Sequence, residues 1–309
     1  MKRFVLFALV GIVVLSISSA SIFVLLSNAP SYACAFWRLF LSTLFILSYY
    51  FLSGGSIDIS KRVVGWTLLS GFMLGSHFLL WMESLFHVSV ATSTTIVVSY
   101  PLFNLLLDIV LFRERVYWFQ VLGLLTGFTG IILFMNPGIT GESLYGSLLA
   151  FLGAVAATGY FSIGRYARNR LGIGLLEYAL LTYGWASLVV LVYILVIGGN
   201  LYEYSPYTYV YFLLLALIPM LGGHTIMNYM LKYMKSSSVT AIALGEPVGA
   251  SILAYFIFGQ KLDVIKAVLM AVVLSSVVTV IMGEQDIQHS ASSSRGGNLP
   301  QRSSSHLIK

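Results

Sequence analysis

The sequence predicts an all-α integral membrane protein with ten transmembrane helices, arranged as two five-helix repeats of inverted topology. Of the 309 residues, 58% are hydrophobic and 9% are charged, whereas a soluble domain carries about 25% charged residues. The apolar segments are continuous and roughly 20 residues long, which is the length that a helix needs to cross about 30 Å of hydrocarbon. The second half of the chain also repeats the pattern of the first.

Glycine, proline, asparagine and charged residues divide the apolar sequence into ten predicted helices. The helices are expected at residues 4–26, 31–53, 63–87, 91–112, 116–135, 144–164, 172–198, 207–231, 238–258 and 262–282. Their short connections leave no room for a soluble domain. The first apolar segment is longer than the 7–15 residues of a signal-peptide core, so we expect a retained span.

Lysine and arginine fall mainly on one side of this arrangement. With a cytoplasmic N-terminus, eleven of the 17 lie at cytoplasmic helix ends, and Lys261 and Lys266 lie on the other side. The eleven are Lys2, Arg3, Lys61, Arg62, Arg113, Arg115, Arg165, Arg168, Arg170, Lys232 and Lys235. Cytoplasmic loops of membrane proteins are enriched in these residues. Both termini are therefore predicted to be cytoplasmic, in a multi-pass protein of the cell membrane.

The segment 284–309 is rich in serine and lacks aromatic residues. Such a composition cannot bury a core, and we predict a disordered cytoplasmic tail. The sequence leaves open whether this tail is native or a remnant of an expression tag.

Two segments share one frame: "YPLFNLLLDIVLFRERV" (100–116) and "EPVGASILAYFIFGQKL" (246–262). Pro101 aligns with Pro247 and Arg115 with Lys261, a constant offset of 146 residues. We therefore predict one repeat over 1–138 and a second over 139–283. Because each repeat has five helices, the second must enter the membrane from the opposite side. Inverted repeats of this kind are typical of secondary transporters, in which one central site opens to either face in turn.

Pro101 and Pro247 each remove a helical hydrogen bond near the middle of a predicted span. We expect a kink at both, with Gly245 and Gly249 adding backbone freedom around Pro247. A role in gating or in lining the solute site is predicted, and a static packing kink is the alternative.

An ionisable side chain at the centre of a membrane helix costs about 2.5–3.5 kcal/mol on insertion scales, so it requires a partner or a cavity. Arg38 and Glu246 are predicted to face a central cavity, where they pair directly or through solute and change partners between states. The alternative is a structural clamp for Arg38 and a neutral, hydrogen-bonded acid for Glu246. Six further cavity candidates are polar or aromatic residues within the spans: His77, Trp81, Tyr100, Asn104, His224 and Asn228.

Other features have a plainer interpretation. Asp108, Glu83 and Glu177 lie near predicted helix ends, where we expect water or headgroups to solvate them. Cys34 is the only cysteine, and we predict no cofactor and no metal. The spacing of Gly123 and Gly127 fits helix packing within one chain or between two, so a monomer or a weak homodimer is expected.

The segment "GHTIMNYMLKYMKSSSVTAIALGEPVGASILAYFIFGQKL" (223–262) closely resembles the EamA-like family of the drug/metabolite transporter superfamily. "FWRLFLSTLFIL" (36–47) and "SYPLFNLLLDIVLFRERV" (99–116) extend the resemblance over about residues 4–282. Gln260 departs from the pattern, because the first copy has Glu114 there. The resemblance implies that helices 1–4 and 6–9 surround a central cavity and that helices 5 and 10 are peripheral. It also implies a carrier of small polar or amphipathic solutes, often an exporter of amino acids or other metabolites.

The sequence thus predicts a secondary active transporter that moves small metabolites by alternating access, with export expected from the resemblance. Its partners are a small-molecule solute and the lipid bilayer, without nucleic acid. Glu246 and the two histidines leave a coupled proton open. A membrane-embedded enzyme and a passive channel are the alternatives. The sequence has no H-E-x-x-H motif, no cysteine nucleophile with a spaced histidine, no P-loop and no selectivity filter, so neither an enzyme nor an ATP-driven pump is favoured.

Overall fold

The computed structural model describes residues 3–54, 60–112 and 118–279. Every regular element within these ranges is helical. The predictions for Glu114, Arg115 and the segment 284–309 lie outside the described residues.

The first repeat contributes five helices, of which the first and the fourth are interrupted. Their bounds are α1, Arg3–Ser18 and Ala20–Leu26; α2, Ser31–Leu52; α3, Lys61–Ser84; α4, Val90–Val97 and Tyr100–Phe112; and α5, Trp118–Phe134. A short helix, Pro137–Thr140, follows α5.

The second repeat also contributes five helices, and α8 and α9 are interrupted. Their bounds are α6, Leu144–Arg165, continued by a π-helical turn over Tyr166–Arg170; α7, Leu175–Ile197; α8, Pro206–Leu215, a π-helical segment Ala216–Thr225, and Ile226–Met230; α9, Ser236–Thr240, a 3-10 turn Ala241–Leu244, and Gly245–Phe258; and α10, Val264–Thr279.

Eight helices of the described ranges, α1–α4 and α6–α9, are long and apolar enough to cross a membrane. Helices α5 and α10 contain the shorter apolar stretches Val121–Phe134 and Val264–Thr279. The sequence prediction of a multi-pass helical membrane protein is confirmed. The count of ten spans stays a prediction, because the description of α5 begins at residue 118 and that of α10 ends at residue 279.

Local sequence explains where several helices begin and end. Ser60, Ser89, Ser143 and Ser205 precede α3, α4, α6 and α8, and each side-chain oxygen accepts the backbone N–H three residues later. This bond satisfies a donor that the first turn of a helix otherwise leaves without a partner. Helix α9 ends at Gly259, whose φ of 66° is costly for any residue with a Cβ.

Helices α4 and α9 run antiparallel, as the predicted inverted repeat requires. The turn after α9 meets the start of α4, where the Val90 N–H donates to Gln260 Oε1 at 3.0 Å. The end of α4 meets the start of α9, where Ser237 Oγ donates to Asp108 Oδ2 at 3.0 Å. We call the side of the bundle at which α1 begins the near face and the opposite side the far face. Helix α4 begins at the far face and α9 at the near face.

The breaks in α4 and α9 precede the two prolines. Helix α4 is interrupted at Val98 and Ser99, and α9 passes through the 3-10 turn Ala241–Leu244. Pro101 and Pro247 then lie in the first turn of the next helical segment. A proline is well tolerated there, since the first-turn N–H has no partner within the helix.

Gly245 and Gly249 have a packing role that the sequence did not reveal. A Cβ at Gly245 would lie 2.5 Å from Val14 Cγ1, and one at Gly249 would overlap Ser18 Oγ. Both glycines therefore let α9 lie directly against α1. The predicted backbone freedom at these positions remains untested.

Helices α5 and α10 pack together at one side of the bundle, with Ile131, Phe134, Met270 and Val273 in a second apolar cluster. A Cβ at Gly127 would lie 2.5 Å from Ser276 Oγ, so this glycine serves a contact within the chain. Its neighbour Gly123 lines an open groove between α5 and α10.

Candidate functional site

A small cavity lies in the middle of the bundle, where α1–α4, α8 and α9 meet. Its volume is about 20 Å³, and a volume of about 10–15 Å³ is enough for one water molecule. The lining residues are Ile17, Ala20, Arg38, His77, Trp81, Val97, Tyr100, His224, Met227 and Glu246. All ten are buried, so the cavity is closed toward both faces in this conformation.

The cavity collects residues that lie beside irregular backbone. Ala20 follows the break in α1, Val97 and Tyr100 flank the break in α4, and Glu246 follows the 3-10 turn of α9. His224 lies in the π-helical segment of α8. Irregular backbone at membrane depth is tolerated where protein buries it or where it lines a cavity. The interruptions thus mark the site as clearly as the side chains do.

Among the residues that line the cavity, Arg38 has the most polar atoms without a hydrogen-bond partner in the described part of the chain. The residue is 1% exposed, and its Cζ lies 4.2 Å from the centroid of the Phe78 ring, a cation–π geometry. Among the described residues, its Nε, Nη1 and Nη2 have no hydrogen-bond partner. A buried charge without a partner is costly. The guanidinium therefore offers five N–H donors on three nitrogens to any anionic group that enters.

Glu246 lines the same small space from α9 and is 7% exposed. No hydrogen bond joins it to Arg38, since the guanidinium nitrogens have no partner in the described part of the chain. The direct pair that the sequence suggested is thus absent in this conformation. A basic and an acidic side chain face one cavity, and a solute group could connect them.

Aromatic rings form the remaining walls. The rings of His77 and Trp81 are parallel within 3°, with centroids 6.0 Å apart. His224 stacks on Phe161 at 5.9 Å and 15°. His77 Nδ1 lies 2.9 Å from the Gly153 carbonyl, which can only accept, so this nitrogen carries the proton.

Polar atoms on these walls add to the donors of Arg38. Among the described residues, Trp81 Nε1 and His224 Nδ1 have no hydrogen-bond partner. Both residues line the cavity, so each can offer a polar contact to a solute.

Asn104 and Asn228, both predicted to face the cavity, lie outside its lining. Asn104 accepts from Ser162 Oγ at 2.9 Å and donates to Thr240 Oγ1 at 3.3 Å, so it joins α4, α6 and α9. Asn228 donates to the hydroxyls of Tyr160 at 2.6 Å and Tyr183 at 3.2 Å. Depth in the membrane suggested a cavity position for both amides, but their rotation about the helix axis directs them to neighbouring helices.

The surroundings of Asp108 also differ from the sequence prediction. It was predicted to be solvated at a helix end, but it is fully buried and lies 2.7 Å from Arg165 Nη1 of α6. The end of α4 is covered by α6 and α9, which the sequence alone does not show. Glu83 and Glu177 are partly exposed, as expected.

Sequence reasoning did not single out Pro219, which lies within the π-helical segment of α8. Ser42 Oγ donates to the Ala216 carbonyl at 3.3 Å, at the start of that segment. Proline within an apolar run is the available signal, but Pro219 is not paired between the repeats: its repeat-mate, the residue 146 positions earlier, is Met73.

No group of three or more histidine, cysteine, aspartate or glutamate side chains in the described ranges is placed to hold a metal ion. The site that remains is the closed cavity with its basic and acidic side chains and its ring walls.

The chain matches known membrane transporters over most of its length. The model of the EamA-like transporter family matches residues 2–136 and 144–282. A Rickettsia felis protein named S-adenosylmethionine uptake transporter is 27% identical over 241 residues, which cover 75% of this chain and 76% of that protein. A Rickettsia conorii protein of the same name has the same identity and coverage. An Archaeoglobus fulgidus protein named uncharacterized transporter is 23% identical over 260 residues, 84% of this chain and 90% of that one.

A solved crystal structure has the same fold. It aligns with a TM-score of 0.65 over 90% of this chain and 98% of that chain, at 16% sequence identity. At this identity the likeness concerns the fold alone.

Proposed function

Because the chain belongs to the EamA-like transporter family, we propose that it is a secondary active transporter that moves a small metabolite across the cell membrane by alternating access. One observation carries the proposal: a closed cavity lined by a basic residue, Arg38, and an acidic residue, Glu246, lies between two antiparallel broken helices. In this proposal the broken helices α4 and α9 move, and the side chains of Arg38 and Glu246 bind the solute.

The cavity favours a solute that carries both signs of charge. The three guanidinium nitrogens of Arg38 have no hydrogen-bond partner in the described ranges, and they suit a carboxylate, which arginine binds through two parallel hydrogen bonds. Glu246 suits a cationic group, and the parallel rings of His77 and Trp81 suit a planar or apolar group. An amino-acid-like metabolite meets all three conditions. S-adenosylmethionine, which the names of two relatives contain, has a carboxylate, an ammonium, a sulfonium and a purine, and is the first solute to test.

The solute-bound cavity must be larger than the one described. Small-molecule sites typically enclose about 300–1,000 Å³, whereas the described cavity has about 20 Å³. The described conformation therefore corresponds to the closed state between the two open ones. In the proposed cycle, one half of α4 or α9 swings at the break before Pro101 or Pro247 and admits the solute from one face.

Two lines of support point in opposite directions for net flow. The family resemblance favours export, whereas the two Rickettsia relatives are named uptake transporters. An alternating-access carrier is reversible, so the gradients of solute and of any coupled proton set its direction. Cytoplasmic termini and a monomeric or weakly dimeric carrier complete the proposal.

Counterflow in liposomes tests the proposal. Purified protein is reconstituted into vesicles loaded with unlabelled S-adenosylmethionine, and uptake of labelled solute is followed over time. Saturable counterflow is expected of a carrier. Flux that rises linearly with concentration would indicate a channel, and a chemically altered solute would indicate an enzyme.

Arg38→Gln and Glu246→Gln test the site, with Arg170→Gln and Glu203→Gln as matched controls on exposed residues. Both site variants are expected to lose counterflow, while both controls keep it. Full counterflow by the two site variants would overturn the proposed site.

A further inference from the structure

We propose that Glu142 and Asp108 close the far and the near face of the transporter, each by holding the first half of a broken helix over the cavity. The inference rests on the proposed function and adds the residues that keep each face shut. We call Glu142 with Ser89, Thr92 and Lys266 the far latch, and Asp108 with Arg165, Ser236 and Ser237 the near latch.

The far latch fixes the start of α4. Glu142, in the connection before α6, accepts hydrogen bonds from Ser89 Oγ at 2.6 Å, from Thr92 Oγ1 at 3.1 Å and from the Ser89 N–H at 3.2 Å. Lys266 of α10 donates to the same carboxylate at 2.6 Å. The side chains of Glu142 and Lys266 are 12% and 13% exposed. One carboxylate thus ties the first turn of α4 to two other parts of the far face.

The near latch fixes the start of α9. Asp108, at the end of α4, lies 2.7 Å from Arg165 Nη1. Ser237 Oγ donates to it at 3.0 Å and Ser236 Oγ at 3.4 Å. The first turn of α9 is therefore tied to α4 and α6 through a fully buried carboxylate.

Each latch lies at one end of a half-helix whose other end reaches the cavity. Val90–Val97 runs from the far latch to the cavity-lining Val97, and all eight of its residues are buried. The segment 236–244 runs from the near latch to Glu246. Because each half-helix ends at a backbone break, it can move without carrying the second half of its helix. The two half-helices are thus placed to plug the two faces.

Repeat symmetry does not by itself produce the two latches. The offset of 146 residues relates Asp108 to Ala254, Arg165 to Ser19 and Lys266 to Gln120. None of these repeat-mates is charged, yet α4 and α9 each begin at a carboxylate that is paired with a base. The two latches hold equivalent ends of α4 and α9, but their charged residues do not correspond to one another under the offset of 146 residues. This favours a role in closing a particular face over an inherited packing contact.

Both latches are formed in the described conformation, in which the cavity is closed toward both faces. Opening one face requires that its own latch breaks, while the other latch keeps the opposite face sealed. A carrier that loses both latches would leak. The combination of Glu142→Gln with Asp108→Asn is therefore expected to give passive, linear flux.

Cysteine labelling tests each latch without requiring transport. Cys34, the only cysteine, is buried and is replaced by alanine. A new cysteine is introduced at Ala20 in the cavity lining. The rate of reaction with a membrane-impermeant maleimide is then measured from each face in oriented proteoliposomes. Glu142→Gln is expected to raise labelling from the far face about tenfold, and Asp108→Asn from the near face, in the range of typical coupling effects.

Conservative variants separate a latch from general damage. Lys266→Arg keeps the charge and should keep the far face closed, whereas Lys266→Gln should open it. Glu203→Gln and Arg170→Gln, at exposed positions, should leave labelling unchanged. Thermal unfolding of each variant identifies any that fail to fold.

The outcomes for the latch and for the proposed function are distinguishable. If Glu142→Gln and Asp108→Asn showed counterflow but unchanged labelling, the latches would be overturned and the proposed function would stand. Labelling that rises equally from both faces would also overturn them. Labelling that shifts by face, in a protein without counterflow for any solute, would support the latches and overturn transport.

Discussion

Helices α4 and α9 hold equivalent places in the two repeats, and both break before a proline, yet their surroundings differ. Of the apolar stretch that crosses the bundle, 83% is buried in α4 and 28% in α9. Apolar residues such as Ile252, Tyr255 and Phe256 are more than half exposed on α9, as expected for a surface that faces lipid. Lipid can reseal around a moving helix, whereas protein must repack. Packing therefore restrains α4 more strongly than α9.

The electrostatic restraint differs in the opposite direction from the packing, because it is stronger on α9 than on α4. The latch that holds α9 uses a fully buried carboxylate, while the latch that holds α4 uses one that is 12% exposed. The residue before the proline is Tyr100 in α4 and Glu246 in α9. The two repeats thus share their backbone mechanics but differ in chemistry, and the more loosely packed helix carries the stronger electrostatic restraint.

The largest expected effect comes from the residues before the two prolines. Glu246→Gln replaces a carboxyl group with an amide of nearly the same shape, and Tyr100→Phe removes a hydroxyl. A hydrogen bond to a charged group contributes about 1.5–3 kcal/mol, which is roughly a tenfold to hundredfold effect. We expect Glu246→Gln to lower the rate of counterflow by up to about hundredfold and Tyr100→Phe by less than about threefold. Equal losses in both variants would show that the two breaks do not differ in chemistry.

The two latches should differ in their contribution to stability. Removing one partner of a buried ion pair costs about 3–5 kcal/mol, and we expect Asp108→Asn to fall near the lower limit because the Arg165 side chain is 18% exposed. Glu142→Gln should cost about 1–2 kcal/mol, since glutamine still accepts from Ser89. Thermal unfolding in detergent measures both. A larger loss in Glu142→Gln would reverse the ranking of the latches.

The glycines of α9 provide a smaller test of the same comparison. Gly249 lies against Ser18, whereas its repeat-mate in α4 is Phe103. Gly249→Ala is expected to separate α9 from α1 and to cost about 1–2 kcal/mol through overpacking. Ser18→Gly in the same protein should restore stability, because it removes the side chain that the new methyl group meets. If Ser18→Gly did not restore stability, the strain in Gly249→Ala would not arise from contact with Ser18.

The smallest expected effect is that of pH on the far latch. Burial by itself would raise the pKa of Glu142, but the Lys266 ammonium and the donors of Ser89 outweigh it and hold the pKa below its usual range. A lowered pKa in the folded state means that the latch is fully stabilising above the ordinary glutamate value of about 4.3. Its contribution is lost as pH falls through the lower, folded value.

Far-face labelling of the Ala20→Cys protein should therefore stay constant from about pH 5 to 8, once the intrinsic thiol reactivity is subtracted. Other titratable groups also lie at this end of the bundle. Asp263 lies 3.5 Å from Lys266, and His87 lies 3.0 Å from Glu83. The measurement is made in a protein that carries His87→Gln, which removes this imidazole from the far face. A rise in labelling between pH 5 and 7 that Glu142→Gln abolishes would contradict the predicted direction of the pKa.

The sequence predicted the helices and the depth of the polar groups better than the direction in which they point. Hydropathy and proline pairing located the broken helices, and the cost of burying charge drew attention to Arg38 and Glu246. The rotation of Asn104, Asn228 and Asp108 was not predictable. A helix with apolar neighbours and lipid around it lacks the contrast between polar and apolar faces that fixes rotation in soluble proteins.

Glu142 escaped notice for a different reason. It lies in a connection rather than in a span, and its partners Ser89 and Lys266 are distant in sequence. Although it lies in the second predicted repeat, the offset of 146 residues gives it no counterpart in the first. Only the folded arrangement of the far face brings these residues together.

The guanidinium of Arg38 has a kinetic consequence. Its three nitrogens lack hydrogen-bond partners among the described residues while the site is closed, and a buried charge in that condition raises the free energy of the closed state. A bound carboxylate removes this cost. A loaded carrier should therefore pass through the closed state faster than an empty one, so that exchange of solute for solute outpaces net flow.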